Sequence, residues 1–90
     1  MTLEELIQSI HAIEMHLCAF EEKYRMRSED FYRLVNEGKI GQSADLIEWL
    51  GLYEIKLKRE RKYRQIMSDL LAAAPSSKEA IDQKLTLPLA

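Results

Sequence analysis

The stretch Thr2-Leu-Glu-Glu-Leu-Ile-Gln-Ser-Ile-His-Ala-Ile-Glu-Met-His-Leu-Cys-Ala-Phe-Glu-Glu-Lys-Tyr24 decides the fold. Within it Leu3, Leu6, Ile10, Ile13, Leu17, Phe20 and Tyr24 recur at alternating three- and four-residue steps. That spacing keeps one stripe of a helix apolar through three heptads, the pattern of a coiled coil or a long-helix bundle. Ile7 lies beside the stripe and widens it, which calls for more than one packing neighbour. Thr2-Leu-Glu-Glu5 reads as a capping box, the Thr2 hydroxyl accepting from the Glu5 amide while the Glu5 carboxylate reaches back. Glycine and proline are absent until Gly38. A helix over about 2–24 follows.

Ser28-Glu-Asp-Phe31 offers an N-cap with acid in the first turn, where the helix dipole stabilises negative charge. A short helix over 29–37 is predicted, with Phe31, Leu34 and Val35 as its apolar face and Gly38 placed for a left-handed end. Gly38-Lys-Ile-Gly41 is then a connector; it lacks the spacing of a phosphate-binding loop. Ser43, with Asp45 in the first turn, opens the longest element, about 43–74, which Pro75 closes. Leu46, Trp49, Tyr53, Tyr63, Met67, Leu70 and Ala74 hold one register through it. Lys56 and Glu60 share that register but are polar. Either the helix leaves its neighbour there, or the pair meets charged groups on a partner chain. At 1.5 Å per residue this helix runs about 48 Å, so part of it should project beyond the core or pack on another subunit.

The predicted fold class is therefore all-α. Two long helices form an antiparallel, coiled-coil-like hairpin with a short helix between them, one helical domain over 1–74, expected to self-associate as a homo-oligomer. Leu46, Trp49, Leu50 and Tyr53 are expected to meet Tyr24, Met26, Phe31 and Leu34. Phe31, Trp49 and Tyr53 are core candidates by spacing and, as aromatics, also candidate anchors of a partner footprint. Over 75–90 the pattern gives one or two helical turns at 77–85, then an extended tail that Pro88 keeps from being helical. Leu85, Leu87 and Leu89 would dock from that tail, on this domain or on a partner.

Ninety residues, 47% hydrophobic and 31% charged, suit one small folded domain and leave no room for a deep catalytic cleft. No apolar run approaches the roughly 18 residues of a membrane span, and the N-terminus lacks a signal pattern. The lone Cys18 can make neither an internal disulfide nor a zinc site, and is expected to be a buried, inert thiol in the reducing cytoplasm. His11 and His16 point to different helix faces, and His11-x-x-Glu14 reverses the order used in carboxylate-bridged metal bundles. No enzyme activity, metal or cofactor is expected. The net charge of −2 hides an uneven distribution. Glu4, Glu5, Glu14, Glu21 and Glu22 precede the first cation, Lys23, whereas Lys56 to Arg64 sets six cations against Glu60. Within that run Lys58, Arg59, Arg61, Lys62 and Arg64 are candidate nucleic-acid contacts, set against the plainer role of a solvated helix face.

Tyr24-Arg-Met-Arg-Ser-Glu-Asp-Phe-Tyr32, Gly38-Lys-Ile-Gly41, Asp45-Leu-Ile-Glu-Trp49 and Tyr53-Glu54 together resemble small bacterial and archaeal antitoxin-like helical proteins of type II toxin–antitoxin pairs. Their pattern reads K-Y-x-M-S-x-x-x-F-Y, then G-x-x-G, D, E-W and Y-E. The likeness covers roughly 20–54 and departs at Arg27, inserted between Met26 and Ser28. It implies an antitoxin that neutralises a cognate, RNA-directed toxin by steric binding. Acidic Glu14, Glu21 and Glu22 would face a basic toxin surface, and the segment 85–89 would enter an apolar groove. The residues themselves also admit a self-associating scaffold or adaptor, and a nucleic-acid binder using the basic run.

Overall fold

A computed structural model describes residues 1–73, and these form three α-helices with no strand. Helix α1 spans Leu3–Tyr24, α2 spans Ser28–Asn36 and α3 spans Ala44–Ala73. The starts of the three helices and the ends of α1 and α2 lie within a residue of the sequence reading; the end of α3 expected at about 74 lies outside the described residues. The expected helix at 77–85 and the leucines at 85, 87 and 89 lie outside the described residues.

Each boundary has a local cause. The capping box forms at Thr2, whose amide donates to Glu5 Oε1 at 3.0 Å while its hydroxyl accepts from the Glu5 amide at 3.1 Å. Helix α1 ends at Arg25, a left-handed residue (φ 56°) that costs about 1–2 kcal/mol for any residue with a Cβ. That kink turns the chain within three residues into α2. At the far end of α2, Gly38 is left-handed (φ 70°), as its position suggested. Its amide donates to the Val35 carbonyl and the Lys39 amide to that of Leu34, closing the helix as a Schellman motif. Ser43 caps α3, its hydroxyl accepting from the Leu46 amide at 3.2 Å.

Helices α1 and α3 pack antiparallel along most of their length. Lys23 meets Asp45 at one end and Glu14 meets Lys56 in the middle, while Ile7 and Ile10 line a groove with Tyr63 toward the other end. In that register α1 accompanies nearly all of α3. Among the described residues the projecting part is thus short, about the last two turns, where Leu70 and Leu71 are exposed. Of the α1 stripe, Leu6, Ile13 and Leu17 are buried; Leu3, Ile10 and Phe20 are half-buried and Tyr24 is exposed.

The main core sits at the α2 end of the hairpin and comprises Ile13, Leu17, Phe31, Trp49 and Tyr53. Tyr32 and Val35 of α2 join Phe31 against it, together with Phe20, Met26, Ile40, Leu46 and Leu50. Leu34, expected in that cluster, is half-buried outside it. Nine residues of α2 extend only about 14 Å, so the short helix covers one half of the hairpin.

Candidate functional site

The indole of Trp49 is 1% exposed and lies face to face with Phe31, ring centroids 3.9 Å apart and planes 2° from parallel. Phe20 and Tyr24 stack on it from α1 at 5.7 and 5.6 Å, and Tyr32 tilts against Tyr53 at 5.1 Å. A buried indole must donate its N–H, and here Nε1 donates to the buried Ser28 hydroxyl at 2.9 Å. Ser28 Oγ in turn donates to Glu21 Oε2 at 2.7 Å, and the Ser28 amide donates to the same oxygen at 2.8 Å. One line of hydrogen bonds therefore joins all three helices.

The role expected of Ser28 is corrected by this geometry. It is the first residue of α2 and not its cap; the cap position is Arg27, whose side chain makes no capping bond. Glu21, on the last turn of α1, satisfies the Ser28 amide instead. Burial pushes the Glu21 carboxyl up, but the two Ser28 hydrogen bonds and the nearby charges of Arg27 and Lys56 together hold it below its ordinary value. Arg27 Nε lies 3.4 Å from Glu21 Oε1, so the arginine that departs from the antitoxin-like pattern steadies this carboxylate.

Phe31, Trp49 and Tyr53 are thus core residues of this chain. With side chains 1–7% exposed, they offer almost no surface to a partner, and their candidacy as footprint anchors gives way to packing. Glu21, half-buried, is committed to Ser28 and Arg27 within the chain. The polar interruption at Lys56 and Glu60 is also settled within the chain. Lys56 Nζ, 19% exposed, lies 3.8 Å from Glu14 on α1 and 3.6 Å from Glu60, so the pair needs no second copy. Cys18 is exposed, not buried, and donates to Glu22 Oε1 at 3.7 Å. The Glu22 charge raises its pKa, which disfavours the reactive thiolate.

Outward from this frame the two long helices differ. On α1, Ala12, Met15 and Ala19 are exposed at three- and four-residue steps, Met15 at 76%, between exposed Glu4 and Glu22. Lys23 is the helix's one cation and is paired with Asp45, which also accepts from Tyr24. On α3, Lys58, Arg61, Lys62 and Arg64 are exposed and Arg59 is half-buried, and none of the five has an ion-pair partner among the described residues. Among the described residues no group of three or more His, Cys, Asp or Glu is placed to hold a metal ion, and no helix is long and apolar enough to cross a membrane.

No family model matches the chain, and no curated protein or solved structure is significantly similar to it.

Two consequences of the Trp49–Ser28–Glu21 line are measurable. Ser28→Ala strands the indole N–H in the core and should lower stability by about 1–3 kcal/mol. Urea unfolding followed by the emission of Trp49, the chain's single tryptophan, reads this directly. Because the Glu21 carboxyl is held low in the folded state, its contribution is present above the ordinary glutamate range and is lost as pH falls below it. The urea midpoint should therefore drop on acidification, and Glu21→Gln should flatten that part of the profile.

Proposed function

We propose that this chain is a protein-binding module of the antitoxin kind, which neutralises a cognate toxin by docking on it and occluding its site. The observation that supports this reading is the outer face of α1. Ala12, Met15 and Ala19 form a shallow apolar ridge bordered by carboxylates, with the helix's only cation tied up by Asp45. Such a face suits a basic protein surface with an apolar patch. Carboxylates steer the encounter, and an adaptable methionine fills the contact. A toxin acting on RNA needs a positive surface to hold phosphates, which is where the likeness to antitoxins and this charge pattern converge.

Co-expression with the product of the adjacent reading frame tests the reading. Toxicity of that product alone, rescue by this chain and a complex that survives purification are the expected results. Met15→Asp, or Glu4→Lys combined with Glu22→Lys, should weaken the complex at least about tenfold, equivalent to about 1.4 kcal/mol, while helicity is retained. A harmless neighbour removes the proposal. Full binding by both variants removes α1 as the docking face.

The cations of α3, without an ion-pair partner among the described residues, favour a second reading, binding of a nucleic-acid backbone through Lys58, Arg61 and Lys62. It requires an affinity for duplex that falls steeply with salt and a salt slope that shrinks on charge reversal at Arg61 and Lys62.

A further inference from the structure

Gly51 sits in the interior of a 30-residue helix, where glycine is among the least favourable residues. Nothing among the described residues calls for it: a Cβ at that position would meet no atom within 4 Å. One turn to either side on the same face, Ile47 and Ile55 are 58% and 40% exposed. Glu48 and Glu54 are exposed beside this patch, and Lys58 and Lys62 are exposed where the face continues toward Ala73. None of these four charges has an ion-pair partner among the described residues. The side of α3 turned from Trp49 and Tyr53 therefore carries two isoleucines around a notch, with acid in its first half and base in its second.

We infer that this face is a homodimer interface, on which α3 of a second copy lies antiparallel about a twofold axis at Ile55. The order of charges selects both the occupant and the register. Parallel pairing sets Glu48 and Glu54 against themselves, and an antiparallel pairing centred on Gly51 sets Glu48 against Glu54. Glu48 and Lys62 lie seven residues to either side of Ile55, so an axis there brings them level across the interface. The same axis places Lys58 within a turn of the partner's Glu54. In that register Ile55 of each copy enters a hole framed by Gly51, Glu54, Ile55 and Lys58 of the other, a knob into a hole. A corner without a side chain widens the hole for an isoleucine, which gives Gly51 its reason. Such self-complementarity is what a twofold interface requires. A nucleic-acid backbone fits the face less well, because Glu48 and Glu54 repel phosphates and Ile47 and Ile55 find nothing to pack on. The pairing uses α3 alone and does not depend on toxin binding through α1.

Sedimentation equilibrium of the full chain, from micromolar to millimolar concentration, should show monomers converting to dimers. Gly51→Leu fills the hole and should raise the dissociation constant at least about tenfold. Helicity and Trp49 emission should stay unchanged, since the new side chain meets nothing within its own chain. Glu48→Lys with Glu54→Lys makes the face wholly basic, and Lys58→Glu with Lys62→Glu makes it wholly acidic, so each of these double variants should be monomeric. Mixed together, they should form a heterodimer. A wild-type chain that stays monomeric throughout overturns the inference. So does a dimer indifferent to Gly51→Leu and to both double variants, which would have formed elsewhere, or a mixture that fails to pair. A monomer that binds duplex DNA through Lys58 and Lys62 assigns those cations to phosphates and overturns it too.

Discussion

Burying Trp49 obliges its indole N–H to find an acceptor inside the molecule, and that one obligation fixes how the three helices meet. Ser28 Oγ accepts that hydrogen bond, but a buried hydroxyl has its own hydrogen to donate, and the Glu21 carboxylate accepts it. The carboxylate, only partly shielded, is then tolerated because Ser28 donates to it twice and Arg27 and Lys56 supply positive charge. Removing any member leaves the previous one unsatisfied, and a buried polar group without a partner is far more costly than a bond to water forgone. The sharp turn between α1 and α2 belongs to the same constraint. Arg25 accepts a left-handed conformation because only an abrupt reversal brings the Ser28 amide back over the last turn of α1.

Most of the backbone was legible in the sequence, because its causes are local. The Thr2 capping box, the Ser43 cap, the left-handed Gly38 and the three-four periodicity are set by residues within a turn or two of each other, and the structure bears them out. What escaped were the tertiary partners. Ser28 followed by two acids has the pattern of an N-cap, and nothing nearby signals that an indole twenty-one residues away needs its hydroxyl. Lys56 looked like a defect in the seam because its answering carboxylate, Glu14, lies forty-two residues earlier on another helix. The aromatic residues were weighed as core and as footprint, and their burial decides for core: a chain this short has little else with which to fill one. The exposure of Cys18 follows from its place next to Leu17 on the side turned away from α3, and the effect of Glu22, one turn ahead, is a local one.

The charges sort themselves by the same logic. Where carboxylates and cations face each other between elements they pair: Lys23 with Asp45, Arg27 with Glu21, Lys56 with Glu14. Of the remainder, Glu4 and Glu22 lie exposed on α1 and the five cations of the 58–64 run lie on α3, which also carries exposed Glu48, Glu54 and Asp69. A chain with a net charge of only −2 thus carries an acidic stretch on α1 and a basic one at 58–64 of α3.

The uneven core ties these features to one limit. Nine residues of α2 suffice to cover the aromatic end but cannot reach the other half, where, among the described residues, Leu6 alone of the apolar side chains is fully buried. Two helices can enclose a line of contact but not a volume; a third neighbour is what turns half-buried side chains into buried ones. Ile7, Ile10 and Tyr63, half-buried, line a groove between α1 and α3 in that half. Ile7, beside the α1 seam, therefore stays at the edge of the α1–α3 contact, half-buried with Ile10 and Tyr63, while Ile13 and Leu17 toward α2 are enclosed.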